Sequence, residues 1–275
     1  MKTQALLVAE KSVLPILRQS ITGLFKWGIA DEAIVAIPSR DMSAFAEFKR
    51  SSIQVVAEDE FLEGHSLDSI GGRLGSFRDR SGWYLQQFAK LGFARVANEA
   101  HYIIWDADTV ALGPIEMVRN GRTQMVIAKE FHKPYFETYE RLFLTKPPLR
   151  ASAISQYMRI NTGCAKEMLD KIEQIHGRDW IEAVLSVLPL KCSSEFSEYE
   201  TYANYIHLEH PQEAEFVHRK WFRHGSDILR MDQAPSNEEI EACFKGYACV
   251  AFERRMHTGL KLNVIKAFRK LGVSS

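Results

Sequence analysis

An α/β fold, with a mostly parallel sheet flanked by helices, is predicted by two features of the sequence. Through residues 1–130, short apolar runs alternate with stretches of helical spacing, which is typical of β-α-β units. The apolar runs are continuous rather than alternating with polar residues, and such strands are buried on both faces of a sheet. The length of 275 residues suits one large domain of this class.

In the first half of the chain, each predicted strand is a short apolar run. We predict strands at residues 4–9, 32–37, 53–57, 102–105 and 124–128, and helices at 13–25, 42–50 and 83–91. Between the third strand and the last of these helices, residues 58–82 carry several glycines and no apolar periodicity. A segment of this length without a pattern is expected to be either functional or disordered.

The second half of the chain is predicted to be mainly helical. Helices are expected at 135–144, 164–176, 180–188 and 198–206, a late strand at 247–252, and a basic helix at the C-terminus. Because no repeat, low-complexity stretch or linker divides the sequence, we expect a single domain. Its parts are a sheet-forming half (1–130), a helical half (131–252) and a C-terminal segment (253–275).

Composition excludes several classes of protein. The 35 basic and 35 acidic side chains balance, which argues against nucleic acid as a partner because phosphate binding needs a basic excess. The spacing of the four cysteines fits neither a zinc site nor a redox pair. The apolar runs are shorter than a signal core or a membrane span, so we expect a cytoplasmic protein.

Asp106 and Asp108 directly follow the predicted strand that ends at Trp105. In open α/β sheets, ligands bind beyond the carboxyl ends of the strands. Two carboxylates held this close repel each other, and a divalent cation relieves the repulsion. Hard oxygen ligands of this kind suit Mg²⁺ or Mn²⁺, which take further oxygens from a substrate's phosphates. The alternative is that Asp108 caps the following turn while Asp106 pairs with an arginine.

Three stretches of the sequence resemble a known class of enzyme. The segment at 102–110 reads YIIWDADTV and resembles the Asp-x-Asp segment of GT-A fold glycosyltransferases. With the preceding residues 80–101, and with SEFSEYETYANYI at 194–206, it is similar to a bacterial, glycosyltransferase-like family called DUF6492. The resemblance implies a GT-A-like (Rossmann-like) sheet, a nucleotide-sugar-binding half at 1–130 and an acceptor-side half at 131–252.

The resemblance also implies an activity. It points to a metal-dependent transfer of a sugar from a nucleotide-sugar donor to a hydroxyl group of an acceptor, with Mn²⁺ or Mg²⁺ as the cofactor. The expected acceptor is a glycan or glycolipid, namely lipopolysaccharide or another lipid-linked precursor of a bacterial surface glycan. Whether the transfer inverts or retains the anomeric configuration stays open, as do the sugar and the nucleotide.

If a nucleotide sugar binds, it is expected to lie over the carboxyl ends of the strands. The candidate donor-binding residues there are Ala9, Glu10, Lys11, Ser39, Glu58, Asp59, Trp105 and Ala107. The diphosphate also needs a cation, and the candidates in the glycine-rich segment are Arg73, Arg78 and Arg80. The sequence does not choose among these arginines, and an ordinary loop or capping role is the alternative for each residue.

Three glutamates cluster with tyrosines at the start of the predicted helix 198–206. An acceptor hydroxyl loses a proton as it attacks the anomeric carbon, and a carboxylate within reach can accept that proton. By the resemblance this role falls to Glu198, with Glu200 and Glu195 as the other candidates, while Tyr199 and Tyr202 are candidates for stacking on an acceptor sugar. The alternative is an acidic first turn that complements the helix dipole.

Two histidines are candidates for a further metal ligand. His257 opens the segment HTGLK, which resembles a shortened form of the closing motif of GT8-type retaining enzymes, with Lys261 in the place of its donor-binding lysine. His224, which has basic neighbours, is the competing candidate. The sequence leaves the choice between the two histidines open.

The C-terminal segment 253–275 is basic and has apolar residues at helical spacing. A helix of this kind can contact an anionic membrane surface, or it can pack on the domain. Two alternatives to a glycosyltransferase remain. A nucleotidyltransferase is disfavoured because no glycine-rich phosphate loop follows the first strand, and a nucleotide-sugar-binding protein without turnover is the non-enzymatic alternative.

Overall fold

The computed structural model describes residues 2–230, 233 and 235–253. Its helices are α1 (Leu14–Lys26), α2 (Leu67–Leu74), α3 (Ser81–Val96), α4 (Lys133–Phe143), α5 (Thr162–His176), α6 (Trp180–Val187), α7 (Glu198–Glu209) and α8 (Asn237–Cys243). Its strands are β1 (Gln4–Val8), β2 (Glu32–Ile37), β3 (Ile53–Ala57), β4 (His101–Trp105), β5 (Thr109–Ala111), β6 (Val118–Arg119), β7 (Arg122–Val126), β8 (Tyr157–Asn161), β9 (Ala214–Val217) and β10 (Cys249–Ala251).

The central sheet has five strands in the order β3-β2-β1-β4-β8. The first three neighbouring pairs are parallel, and β8 is antiparallel to β4. Leu6 lies at the centre of the sheet, with Ile34 of β2 on one side and Ile104 of β4 on the other. The predicted α/β class with a parallel-rich sheet is therefore confirmed.

Both faces of the central sheet are covered, as the continuous apolar strands predict. Along β1, Leu6 and Val8 belong to one buried cluster, whereas Ala5 and Leu7 belong to another on the opposite face. Successive side chains of a strand point to opposite faces, so this alternation shows that β1 is enclosed by two cores. At the carboxyl end of β1, Val8 lines the cavity that is described below.

Two smaller sheets flank the central one. Strand β10 pairs antiparallel with β5, while β7 pairs antiparallel with β6 and parallel with β9. The pairing of β10 with β5 brings the end of the described chain beside the turn that follows β4, because β5 begins directly after that turn. Distant parts of the sequence thus meet at the end of β4.

The glycine-rich segment 58–82 is mostly helical, which corrects the prediction of an unpatterned segment. It contains a 3₁₀-helix at Glu58–Phe61, helix α2 and a second 3₁₀-helix at Gly75–Arg80. Helix α2 begins with a capping box between Ser66 and Ser69 and buries Ile70 and Leu74. The cap and this one-turn spacing stabilise a helix too short to give a clear periodic signal.

Other elements differ from prediction in type or were not predicted. Residues 42–50, predicted as a helix, lie largely within a 3₁₀-helix at Ser39–Phe48. Strand β8 falls in the half predicted to be mainly helical, and it carries Arg159 in its centre. This arginine donates from Nη1 to Thr123 Oγ1 at 2.9 Å, so a charged residue is satisfied inside an edge strand. The strands β5, β6 and β9 and the helix α8 were not predicted.

Within residues 2–230, 233 and 235–253, no helix is long and apolar enough to cross a membrane. The predicted C-terminal helix lies outside the described residues except for Glu253, so its contact with a membrane stays a prediction. The division into a donor half and an acceptor half also stays a prediction.

Candidate functional site

A cavity of about 500 Å³ lies at the carboxyl ends of β1 and β4. These strands are parallel neighbours, so the residues that follow them meet at one edge of the sheet. Its walls include the residues after β1, one face of α3, the turn after β4 and the first turn of α7. The α3 face consists of Trp83, Gln86, Gln87 and Lys90, whose spacing places them on one side of a helix.

The turn that carries Asp106 and Asp108 is held by backbone hydrogen bonds from three directions. The Asp106 amide donates to the Gln156 carbonyl at 2.9 Å, and the Thr109 amide donates to the Asp106 carbonyl at 2.9 Å. The Phe252 amide donates to the Asp108 carbonyl at 3.0 Å. The two aspartates therefore have a fixed backbone, and both line the cavity.

Lys90 joins the aspartate turn to helix α7. Its side chain is buried, and Nζ donates to Asp106 Oδ1 at 2.5 Å and to Glu198 Oε1 at 2.6 Å. The Tyr199 hydroxyl donates to the same Asp106 oxygen at 3.0 Å, and Nζ of Lys90 lies 5.0 Å from the Tyr199 ring centroid. Burial alone would lower the pKa of Lys90, but the two carboxylates raise it above its ordinary value, so this lysine is a permanent cation.

Asp108 has an unusually high affinity for a proton. Burial, the largest cause, and the charges of Asp106 and Glu253 together raise the pKa of Asp108 to about 7, while Lys90 opposes them. Acidic groups thus outnumber the one paired lysine around this turn. A site with this charge favours a cation, because a bound cation offsets the repulsion among the carboxylates.

The donor set of the aspartate pair fits a hard divalent cation in part. Within residues 2–230, 233 and 235–253, no three His, Cys, Asp or Glu side chains are arranged to hold a metal ion. Both side-chain contacts of Asp106 use Oδ1, and Asp108 adds a second carboxylate. Mg²⁺ and Mn²⁺ characteristically bind one or two carboxylates and complete their shell with water and phosphate oxygens, which a cavity of this size can admit.

The three candidate glutamates point to three different places. Glu198 lines the cavity, and burial raises its pKa while Lys90 opposes the shift. Glu200 turns away: it accepts from Ser152 Oγ at 2.5 Å and from the Ala153 amide at 3.1 Å. Glu195 accepts from the amides of residues 190, 191 and 192, at 2.6, 2.7 and 3.1 Å. Glu195 and Glu200 therefore hold loops and do not line the cavity, which corrects the prediction of these two residues as candidate bases.

The two candidate stacking tyrosines are both buried. Tyr199 lines the cavity but is committed to Asp106 and Lys90, and burial raises its pKa well above the ordinary value. Tyr202 lies in the core, and its hydroxyl accepts from the Asn161 amide at 2.8 Å. Tyr202 does not line the cavity, so its prediction as an acceptor contact is corrected.

Of the three candidate arginines, the structure brings Arg80 to the cavity. Arg73 is paired with Glu182 at 2.7 Å, and Arg78 is paired with Asp68 at 2.9 Å. Neither of these two lines the cavity. Their prediction as diphosphate ligands is corrected, because each guanidinium already has a carboxylate partner elsewhere.

The other donor candidates divide in the same way. Ala107 lines the cavity between the two aspartates, whereas Ala9, Lys11, Ser39, Asp59 and Trp105 do not. Lys11 pairs with Asp41 at 2.7 Å, and Ser39 donates to Asp59 at 2.6 Å. Trp105 is a core residue whose indole donates to the Thr109 carbonyl at 2.8 Å. Glu10, also a candidate, lines the cavity together with Val8, Ser12 and Val13, whereas the candidate Glu58 does not.

Of the two candidate histidines, His224 is within the part of the chain that the structure describes. His224 does not line the cavity and forms a β-bridge with Phe252. His257 and Lys261 lie outside the described residues. The predicted histidine ligand therefore stays a prediction for His257, while the position of His224 does not support it.

Several residues that line the cavity were not predicted to be site residues, among them Lys90, Arg223, Trp83 and Tyr135. Arg223 donates from Nε to Glu253 Oε1 at 2.9 Å and from Nη1 to Glu130 Oε2 at 2.5 Å. A signal was available for Lys90, since it is a lone charge in the apolar run that follows Gln87. A lysine on the buried face of a helix needs a carboxylate partner.

Comparisons with known proteins give one family match. The family model is described as "Family of unknown function (DUF6492)", and it matches residues 8–243. The predicted resemblance to this family is thereby confirmed. No curated protein sequence matches the chain.

Several solved structures are similar to the fold at low sequence identity. The galactosyltransferase LgtC, in complex with donor and acceptor sugar analogs, is 11% identical with a TM-score of 0.48, covering 98% of this chain and 95% of LgtC. Mouse xyloside xylosyltransferase 1, in its apo form, is 10% identical with a TM-score of 0.40, covering 91% and 97%. The apo-form glycosyltransferase GlyE of Streptococcus pneumoniae TIGR4 is 8% identical with a TM-score of 0.45, covering 100% of this chain and 61% of GlyE. At these values the likeness identifies no functional residue.

Proposed function

This chain belongs to DUF6492, a family of unknown function, and we propose that it is a metal-dependent glycosyltransferase. The donor is a nucleotide sugar, and the acceptor is a hydroxyl group of a glycan or glycolipid. The observation that supports this proposal is the convergence of Asp106, Asp108 and Glu198 on one cavity, with Lys90 joining the first to the last.

The proposed cofactor is Mn²⁺ or Mg²⁺, held by Asp106 and Asp108, and when bound it would stabilise the charge that develops on the diphosphate leaving group. Lys90 and the Tyr199 hydroxyl fix the Asp106 carboxylate through Oδ1. The backbone bonds to Gln156 and Phe252 hold the turn. The chain thus presents both carboxylates in a preorganised arrangement.

Arg223 is the proposed protein cation for the diphosphate. It lines the cavity and binds Glu253, and the charge of Glu253 helps to raise the pKa of Asp108. This places the guanidinium at the aspartate end of the cavity, where a metal-bound diphosphate would lie. A guanidinium presents paired donors that match phosphate oxygens.

Glu198 is the proposed general base. The acceptor oxygen forms a bond to the anomeric carbon as the bond from that carbon to the diphosphate breaks, and the acceptor proton passes to Glu198. Lys90 occupies Oε1 of this carboxylate, so Oε2 is the atom that takes the proton. This sequence inverts the anomeric configuration, whereas a retaining transfer needs no such base.

The finer identity of the acceptor is part of the proposal. Transfer to lipopolysaccharide or another lipid-linked bacterial glycan is suggested by the sequence resemblance. Contact with an anionic membrane through the C-terminal segment would bring the enzyme to such an acceptor. The membrane contact depends on residues beyond 253, and both points are proposed on the sequence alone.

A thermal-shift screen of nucleotide sugars, with MnCl₂ or with EDTA, tests the proposal. A donor present at about one hundred times its Kd stabilises a fold by about 2.7 kcal/mol, which raises the melting temperature by on the order of 5 °C. We expect such a shift for one donor with Mn²⁺ and none with EDTA. Asp106→Asn and Asp108→Asn are expected to lose the shift, whereas the control Asp59→Asn, which lies outside the cavity, keeps it.

Hydrolysis of the same donor completes the test. A transferase releases some sugar to water, and a binding protein without turnover releases none. An equal shift in EDTA, or an unchanged shift in Asp108→Asn, would contradict a metal site at the aspartate pair. A shift without any hydrolysis or transfer would favour the nucleotide-sugar-binding protein.

A further inference from the structure

One wall of the cavity is built from Arg80, Trp83 and Tyr135, which we name the aromatic wall. The rings of Trp83 and Tyr135 are stacked, with centroids 6.5 Å apart and planes at 24°. The Arg80 guanidinium lies 4.7 Å from the Trp83 ring centroid. All three residues line the cavity, so the wall brings two aromatic side chains and a cation to a ligand.

Aromatic side chains in a cavity with this many polar groups suggest a particular ligand. The neighbouring Tyr84 packs against Trp83 edge-on, at 4.9 Å and 90°, and it holds the indole in place. The C–H face of a pyranose ring is apolar and packs on aromatic rings, while its hydroxyl groups bind polar neighbours. The aromatic wall therefore fits a sugar ring.

Arg80 differs from its neighbours in having no carboxylate partner within ion-pair distance among residues 2–230, 233 and 235–253. Its Nε is buried and has no hydrogen-bond partner there. Arg73 and Arg78 are both paired. A cation on a cavity wall without a counterion favours an anionic ligand, because charge-assisted bonds to phosphate or carboxylate are strong.

The position of the wall along α3 separates it from the aspartate pair. Trp83 precedes Lys90 by seven residues on the same helix face, which is about 10 Å along the helix axis. Arg80 lies still further from Lys90, while Lys90 contacts Asp106 directly. At the same time, after the larger effect of burial, the charge of Glu198 raises the pKa of Tyr135 and the charge of Arg223 lowers it. Tyr135 is thus near the proposed base and Arg223, whereas Trp83 and Arg80 are further along α3 from the aspartate pair.

From these observations we propose that Arg80, Trp83 and Tyr135 form the acceptor subsite, and that the subsite binds a pyranose carrying a phosphate or carboxylate group. The assignment of the subsite to the acceptor rests on the proposed function, whereas the binding of a charged sugar does not. The sugar ring packs on Trp83 and Tyr135, and its anionic group binds Arg80. The assignment differs from the prediction that Arg80 binds the donor diphosphate and from the prediction that Tyr202 contacts the acceptor.

Direct binding to simple sugars tests the subsite without any donor. The probes are the methyl glycosides of glucose, galactose and mannose, the three corresponding 6-phosphates, the three uronic acids and inorganic phosphate, titrated by ligand-observed NMR. We expect at least one charged pyranose to bind the unmodified protein ten-fold more tightly than its neutral glycoside. The phosphate and uronic acid arms identify which anion is preferred.

Variants assign the binding to the wall. Arg80→Gln is expected to abolish the ten-fold preference for the charged sugar. Trp83→Leu is expected to weaken charged and neutral sugars alike, and Trp83→Phe, which keeps a ring, is expected to recover most of that loss. The matched control is Arg78→Gln, because Arg78 lies in the same 3₁₀-helix but is paired with Asp68. Melting temperatures verify that each variant is folded.

Three outcomes would overturn the subsite. The first is the absence of any preference for a charged pyranose over its neutral glycoside. The second is inorganic phosphate binding as tightly as the sugar phosphates, which would show an anion site without a sugar site. The third is that Arg80→Gln loses affinity for UDP and for GDP to the same extent, which would indicate that Arg80 binds the diphosphate that these two nucleotides share. If the preference is found but no nucleotide sugar binds with Mn²⁺, the subsite stands and the transferase proposal fails.

Discussion

Lys90 Nζ lies 2.6 Å from Glu198 Oε1, although 108 residues separate the two in the sequence. Both side chains are buried, and the same ammonium group also binds Asp106. The contact therefore couples the turn after β4 to the start of α7. Any change in this lysine alters both the proposed metal ligands and the proposed base.

Replacing Lys90 by methionine is expected to lower the free energy of unfolding by about 3–5 kcal/mol, because it leaves the buried carboxylate of Glu198 and the partly buried carboxylate of Asp106 without their cation. Urea denaturation at neutral pH measures the change. The matched control is Lys171→Met, since Lys171 pairs with Glu209 at 2.7 Å but on the surface, where such a pair contributes about 0–1 kcal/mol. Equal losses in the two variants would show that the Lys90 contacts carry no special weight.

Glu198→Gln is expected to reduce transfer by at least a hundred-fold while the affinity for the donor is kept, because glutamine cannot take the proton but keeps an oxygen that can accept from Lys90. Glu200→Gln and Glu195→Gln are the comparison variants, since neither carboxylate lines the cavity. Steady-state kinetics with a saturating donor provide kcat, and a thermal shift reports donor binding. Full activity in Glu198→Gln would indicate a retaining reaction or a different base.

The aspartate pair was predictable, but the residues that surround it were not. Asp106 and Asp108 follow a four-residue apolar run, and the end of a buried strand is a position that sequence alone identifies. The glutamates 195, 198 and 200 lie within one short stretch, yet each binds a different element. Their roles depend on contacts with α3, residues 152–153 and residues 190–192, which no local pattern encodes.

The fold shows the same division. Strands β2 and β3 have the predicted bounds because their apolar runs are short and end at polar residues or proline. Helix α2 was missed because its two turns hold adjacent glycines, and it depends on the Ser66 cap and on the core beneath Ile70. Arg73 lies in α2, whereas Arg78 and Arg80 lie in the 3₁₀-helix that follows it. The geometry of both helices therefore decides which of the three arginines reaches the cavity.

Gly92→Ala is expected to destabilise the protein by about 3 kcal/mol, because an added methyl group has no room between α3 and its neighbour. A Cβ at Gly92 would lie 2.0 Å from the backbone carbonyl oxygen of Phe61. The matched control is Gly72→Ala in α2, where a Cβ meets nothing within 4 Å and where alanine is expected to stabilise the helix by about 0.5–1 kcal/mol. Thermal unfolding of both variants measures the effect, and equal melting temperatures would contradict the close packing at Gly92.

The last prediction concerns pH and Glu200, whose buried carboxyl is held by Ser152 and Ala153 and lies near the charge of Glu130. Burial raises the pKa of Glu200 from an ordinary 4.5 to about 7. Between these two values the folded protein keeps a proton that the unfolded chain has lost, so stability falls as the pH rises from about 4.5 to 7. The free energy of unfolding falls by up to about 3 kcal/mol in total across this range, and below about pH 4.5 there is no such loss.

Glu200→Gln removes this titration, and unfolding measured in urea at pH 5 and at pH 8 detects it. In Glu200 one carboxyl oxygen accepts from Ser152 and the other accepts from the Ala153 amide. In glutamine an NH₂ group, which does not accept, replaces one of these oxygens, so we expect the variant to be less stable than the unmodified protein at pH 5. At pH 8 the unmodified protein carries the cost of a buried charge, so the difference between the two is expected to shrink or reverse. Glu137→Gln is the control, because Glu137 pairs with Lys133 on the surface and its pKa is lowered. A constant difference between Glu200→Gln and the unmodified protein at both pH values would mean that Glu200 stays ionised in the fold.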